Sequence, residues 1–260
     1  MKRIQLFEFE DLGWFPDPLR RMMLRVLVVM NRVMGVPQVL QSLIQSRFAE
    51  ARTVLDLGSG SGGIMPEVHA ELRQAGLPVE TILSDLHPDP RADWTDAEGL
   101  SYCPESIDAS ASFPIEADLT TMVNCFHHMP PSQAQAILAA AQENHRPLVI
   151  YEMAENKVPT VIWLLTLPLG LVITMLMGML LTFKVRPFSL TQFVLTWIVP
   201  VVPICYAWDG QASMARIYTS KDLDALIANL PADMNYQWEF VPAKDIRPKS
   251  PGYFFIGRPA

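Results

Sequence analysis

The stretch "VLDLGSGSGG", Val54 to Gly63, sets four glycines and a carboxylate where an apolar strand runs into a helix. Glycine lets a backbone come close to a ligand, and the helix start that follows offers N–H groups to it. Asp85 ends the next strand, 23 residues after Gly62, where a carboxylate accepts hydrogen bonds from ribose hydroxyls. Asp108 follows the third strand, placed to meet an amino group. A second chemically able set is His127 and His128 after the fourth strand, with Tyr151 and Glu152 after the fifth. Ligands of open parallel sheets lie beyond the carboxyl ends of the strands, which is where these side chains fall. An imidazole with a reference pKa of about 6.5 can take a proton near neutral pH. His127 directly follows its strand and is the better fixed of the pair, with Glu152 as a weaker candidate.

Alternating strands and helices must position these groups. "TVLDLG" reads as a buried strand, Gly62 to Ala75 as a helix and "VETILSD" as the second strand. Residues 86–99 read as turn with a short helix, and "LSYCPESIDA" contains a third strand. "TTMVNCF" is a fourth, Ser132 to Asn144 a helix capped by Ser132, and "PLVIYE" a fifth. Near the end, "TSKDLDALIANL" is an amphipathic helix, and "NYQWEFVPA" and "GYFFIGRP" are two closing strands. This order predicts an α/β fold with a seven-stranded, Rossmann-like sheet and helices on both faces. Ahead of it, Pro18 to Gly35 reads as a helix with Asp17 as N-cap, and Pro37 to Ala49 as a second one.

Gly58, Gly60 and Gly63 satisfy G-x-G-x-x-G, so a dinucleotide and a nicotinamide-dependent oxidoreductase stay open. Asp56 completes D-x-G-x-G-x-G, however. The motif follows some fifty residues of helical lead-in, and Asp85 and Asp108 come in order behind it. Together these residues resemble the class I S-adenosylmethionine-dependent methyltransferases, over roughly residues 50–156 and the last forty. "FEFEDLGWFP", "FHHMPPSQAQAIL" and "WDGQASMARIYTSKDLDAL" read as motifs of an uncharacterised branch. The resemblance implies S-adenosylmethionine as cofactor, with Asp56, Gly58, Ser59, Gly60 and Gly62 shaping the pocket for its methionine part. It implies Asp85 on the ribose, Leu86 against the adenine, and Asp108 and Ala109 at the adenine edge. His127, His128 and Glu152 are the catalytic candidates. A fold that has lost catalysis and only binds is the other alternative. The family's N-P-P-Y mark for methylating amide or amino groups in bases and proteins is absent, which disfavours nucleic acid as substrate.

Half of the 260 residues are apolar, 18% are charged, and the net charge is −7. Residues 51–156 carry four basic and sixteen acidic side chains, so no basic face is offered to nucleic acid. Cys103, Cys125 and Cys205 have no paired spacing, which predicts neither disulfides nor a metal site and suits a reducing compartment. The N-terminus lacks the apolar stretch of a secretion signal.

Residues 157–206 carry Lys157, Lys184 and Arg186 and no acid. Val158–Phe183 is uncharged for 26 residues, roughly 39 Å as a helix against a hydrocarbon core of about 30 Å. Phe188–Tyr206 is a second uncharged run of 19 residues, broken by Pro200 and Pro203, while Pro168 and Gly170 interrupt the first. The partition expected is a helical cap (1–50), a cofactor-binding core (51–156), a hydrophobic hairpin (157–206) and a closing helix with strands (207–260). Because strands before and after the hairpin share one sheet, the chain crosses a membrane twice or not at all. A re-entrant or interfacial hairpin, or a lid packed on protein, satisfies the same pattern. The hairpin leaves the sheet after strand five, so it is expected to overhang the site. The composition therefore predicts membrane association, a catalytic domain on the cytoplasmic side, and a hydrophobic small molecule or lipid as methyl acceptor.

Overall fold

The computed structural model describes residues 3–89, 97–111 and 115–260. In chain order the elements are α1 (Asp17–Val33), α2 (Val36–Arg47), β1 (Thr53–Leu57), α3 (Met65–Gln74), β2 (Glu80–Asp85), β3 (Leu100–Ser106), β4 (Leu119–Val123), α4 (Pro131–Glu143), β5 (Leu148–Glu152), α5 (Thr160–Thr182), α6 (Leu190–Trp197), α7 (Val201–Arg216), α8 (Ser220–Ile227), β6 (Tyr236–Pro242), α9 (Ala243–Ile246) and β7 (Tyr253–Pro259). Short 3-10 turns form at Phe9–Asp11 and Phe126–His128. Of residues 86–99, where turn and a short helix are expected, 90–96 lie outside the described residues.

The chain divides into two compact units. One comprises Met34–Ala154 and Ser220–Ala260 and holds a seven-stranded sheet in the order β3-β2-β1-β4-β5-β7-β6. The first five strands in that order are parallel, while β7 runs antiparallel to both β5 and β6. All five residues of β5 are buried, as in a strand covered on both faces. The tightest point lies where β7 begins. Gly252 has φ +81°, and a Cβ there would come within 1.9 Å of the Glu152 carbonyl oxygen. Only glycine meets both demands.

The other unit comprises Met1–Val33 and Glu155–Thr219. Its frame is α5 packed along α7, with α1 and α6 against them. Gly170 and Gly178 bring α5 onto the Gln211 and Tyr206 side chains, leaving no room for a Cβ. The opposite face of α5 is uncovered, with Val161, Leu165, Leu169, Val172, Leu176 and Leu180 all exposed.

These units differ from the partition expected from sequence. The lead-in is not one cap: α1 groups with the apolar helices, while α2 packs on α3 beside the sheet. Gly35, in the left-handed region, separates them, and each helix buries its own stripe. The apolar insertion does not stop at Tyr206, because α7 runs on to Arg216. Asp209 is tolerated within it because its carboxylate accepts from the Phe9 and Glu10 N–H groups. Pro168 does not interrupt α5, which stays helical from Thr160 to Thr182. One missing N–H is a small defect in a helix that long, and Thr166 Oγ1 donates to the Ile162 carbonyl nearby. Pro200 does break the second run, and α6 and α7 meet at a 72° bend.

Local starts shift in three places. α1 begins at Asp17 itself, whose carboxylate pairs with Arg20 at 2.6 Å. α4 begins at Pro131, which is preorganised for the first helical position, so Ser132 lies inside the helix and does not cap it. α3 begins at Met65, because the glycines before it hold a loop conformation.

Gly252→Ala is expected to destabilise the sheet-bearing unit by at least ~3 kcal/mol, because the backbone of β5 cannot give way. Denaturant unfolding of the variant beside the parent checks this; an unshifted midpoint would contradict the packing described.

Candidate functional site

The glycine loop leaves β1 at Gly58, whose φ of +73° turns the chain sharply. A Cβ at Gly58 would lie 2.9 Å from the Cys125 sulfur. That contact seats the loop from β1 against the loop from the neighbouring strand β4. At Gly60 no described residue stands within 4 Å of where a Cβ would lie, so the loop is uncrowded on that side.

Asp56 lies beneath this loop. It is 2% exposed and accepts from Ser59 Oγ (2.6 Å) and from Thr121 Oγ1 (2.7 Å). Thr121 is the residue opposite Asp56 in the β1–β4 pairing. The Asp56 carbonyl accepts from Ser84 Oγ (2.8 Å) on β2. Asp56 thus fastens β1, β2, β4 and the loop together. Burial pushes its carboxyl up to about 7, against the two hydroxyl donors, with the Asp85 charge adding to the rise.

Asp85 stands at the end of β2 with both oxygens on backbone N–H groups, Gly60 (2.7 Å) and His87 (2.8 Å). Carboxylate oxygens have further lone pairs to offer, so the group is oriented rather than used up. Leu86 beside it is 47% exposed, and its carbonyl accepts from Ser106 Oγ. Asp108 turns its own loop by accepting from Ser110 N and Oγ (2.8 and 2.7 Å), with Ala109 inside the turn. Ile107 N donates to the Asp85 carbonyl, which ties these two loops side by side. The structure therefore brings Gly58, Ser59, Gly60, Gly62, Asp85, Leu86, Asp108 and Ala109 to one end of the sheet, and sets Asp56 below them.

At the same end, Glu152 of β5 is 1% exposed and grips the turn after β4 twice. The His127 N–H donates to one oxygen at 2.9 Å, and His127 Nδ1 donates to the other at 2.8 Å. The His128 ring lies against the His127 ring, with centroids 4.4 Å apart. Asn124, at φ 54°, holds the strand ends together, since its N–H donates to the Tyr151 carbonyl and its Oδ1 accepts from Met153 N. His127 and Glu152 were separate candidates in the sequence; here they are one hydrogen-bonded pair.

Two other groups are not available as bases. Burial and the charges of Asp56, Glu152 and Asp85 hold the Cys125 thiol well above its ordinary value. Tyr151 is raised by burial and by Glu152, and its hydroxyl donates to the Pro251 carbonyl.

Sequence reasoning missed Thr121, Ser84 and Tyr102. Tyr102 OH donates to the Gly60 carbonyl (2.8 Å) and accepts from Asp89 N, while Ser61 Oγ donates to Asp89. No local motif marks these residues. Only strand register brings them to the loop.

No family model matches the chain, and no curated protein matches its sequence. Solved structures do match in fold. The plantazolicin methyltransferase BpumL in complex with SAH superposes with TM-score 0.58 at 11% identity, over 96% of this chain and 92% of that one. The mitomycin 7-O-methyltransferase MmcR gives 0.53 at 14% identity, over 98% of this chain and 61% of that one. The O-methyltransferase NcsB1 from neocarzinostatin biosynthesis, in complex with S-adenosylmethionine and 2-hydroxy-5-methyl naphthoic acid, gives 0.54 at 13%, over 97% and 61%. The fold is that of the class I S-adenosylmethionine-dependent methyltransferases.

Folding favours the neutral form of Asp56, so its contribution to stability is complete near pH 4 and is lost as pH rises through about 7. In Asp56→Asn that loss is expected to disappear. Denaturant midpoints across this window should fall more steeply for the parent than for the variant; parallel slopes would contradict the assignment.

Proposed function

We propose that this chain is an S-adenosylmethionine-dependent methyltransferase that works at a membrane on a hydrophobic small molecule or lipid. The observation that carries the reading is the meeting of the glycine loop, Asp85 and the His127–Glu152 pair at the carboxyl ends of adjacent strands. The residues fit the cofactor: open backbone at Gly60, an oriented carboxylate at Asp85, and the Asp108 turn beside it. On this reading Gly58, Ser59, Gly60 and Gly62 hold the methionine part, Asp85 the ribose, and Leu86, Asp108 and Ala109 the adenine.

S-adenosylmethionine, when bound, supplies an electrophilic methyl group. The chain's part is to align the acceptor and take its proton. Glu152 accepts the Nδ1 proton of His127, which fixes the tautomer in which Nε2 carries the lone pair. Nε2 can then accept a proton from an acceptor hydroxyl or amine, and Glu152 stabilises the imidazolium that results. His128 lies against that ring, tilted at 34° to it, and helps hold its position.

The membrane part rests on composition and exposure. α5 is 23 residues long with mean hydropathy 2.3, and 6% of its most apolar window is buried. The chain enters this helix's unit three residues after Glu152, so an apolar surface is tethered close in sequence to the proposed base. A lipid-like acceptor suits that tether. Three free cysteines and basic residues at both ends of α5 fit a catalytic unit facing the cytoplasm.

His127→Ala should lower turnover ~10²–10⁴-fold with cofactor affinity nearly unchanged, and His128→Ala should do less. The assay is transfer of labelled methyl from S-adenosylmethionine to a host lipid extract. Wild-type turnover in His127→Ala would leave the histidine a structural role. Asp85→Ala should weaken S-adenosylhomocysteine binding by ~1.5–3 kcal/mol, read by calorimetry. Absence of heat with the parent protein, or binding of a nicotinamide cofactor in its place, would overturn the reading.

A further inference from the structure

We propose that the apolar unit enters only one leaflet of an anionic bilayer and does not span it. This rests on the membrane reading above and fixes its geometry. α5 alone would reach across, since 23 residues extend about 35 Å. Its neighbours forbid it. Gln211 of α7 donates to Thr174 Oγ1 and fills the space beside Gly170, so it marks the middle of α5. Two residues earlier, Asp209 takes the N–H groups of Phe9 and Glu10. Arg20 Nε donates to the Glu10 carbonyl at 3.0 Å, and Arg20 pairs with Asp17, whose side chain is 70% exposed. Each step is one direct contact. In an α5 that crossed the bilayer, this chain would carry an open ion pair toward the hydrocarbon midplane, where exposed charge is strongly disfavoured.

The turn between α5 and α6 points the same way. Lys184 and Arg186 are exposed there, flanked by exposed Phe183 and Phe188. Arg25 of α1 donates to the Pro187 carbonyl, so a third cation joins them. Residues 157–206 contain no acid to oppose it. Basic and aromatic side chains mixed in this way suit the headgroup region of an anionic leaflet. The uncovered stripe from Val161 to Leu180 then lies along the acyl boundary, as for an interfacial helix, with the polar chain from Asp209 to the Arg20–Asp17 ion pair on the water side.

The test uses the full-length double variant Lys184→Cys/Met234→Cys, both exposed positions, reconstituted in sealed phosphatidylcholine–phosphatidylglycerol vesicles. A membrane-impermeant polymer-linked maleimide is added, with the parent protein as background for its own cysteines. In the one-leaflet arrangement the two positions share a side, so each molecule gains both labels or neither, whatever its orientation. If each molecule gains one label and the second only after detergent, the unit spans and the proposal fails. Protein that does not float with the vesicles overturns the membrane reading itself, a result distinct from either labelling pattern.

Discussion

The antiparallel pairing of β5 with β7 constrains everything else in this molecule. Five consecutive residues of β5, from Leu148 to Glu152, are matched against Gly257 to Tyr253. The hundred residues between these strands include the whole apolar insertion, α8 and β6. However that chain travels, it must return to the edge it left. The Gly252 contact with the Glu152 backbone shows how closely the return is fitted. A membrane-contacting segment hung on such a loop begins and ends on one side.

The same pairing sets the position of Glu152. Glu152 is the last residue of β5, so its carboxylate sits where the sheet stops and the turn after β4 begins. It is buried, and both of its oxygens are used by one residue, His127. A buried carboxylate is costly unless hydrogen-bonded, and here the bonds that satisfy it also choose the tautomer of the neighbouring ring. Asp56 shows the other use of a buried acid. Its partners are hydroxyls rather than a base, its carboxyl is pushed up to about 7, and its part is to clamp the loop onto three strands. The two acids stand on strands separated only by β4, and their surroundings separate their roles.

Much of this was legible in the residues alone. The alternation of short apolar runs with amphipathic stretches determined the seven strands and their helices, because burial on both faces leaves the interior of β5 without a charged residue and puts Glu152 at its end. Glycines at 58, 60 and 62 marked the tight loop after β1, since backbone at positive φ favours glycine whatever surrounds it, and the acids at 85 and 108 fall at the same end of the sheet. The missing charges of Val158–Phe183 marked an apolar helix before any contact was known. These are local properties, fixed by side-chain volume, charge and backbone freedom within a few residues.

Tertiary structure decided the rest. Thr121 meets Asp56 across 65 residues because strand register sets them opposite, and Glu152 meets His127 across 25 because the β4–β5 pairing brings the turn after β4 to the end of β5; no local pattern encodes register. The two halves of the helical lead-in went to different units, because each helix was free to bury its stripe against whichever surface matched it. The reach of α7 past Tyr206 was hidden for the same reason. Asp209 reads as the end of an apolar segment until the N–H groups of Phe9 and Glu10, two hundred residues away in sequence, are found bonded to its carboxyl oxygens. Composition determined which segments are apolar; the long-range hydrogen bonds that satisfy their few polar groups determined where those segments end.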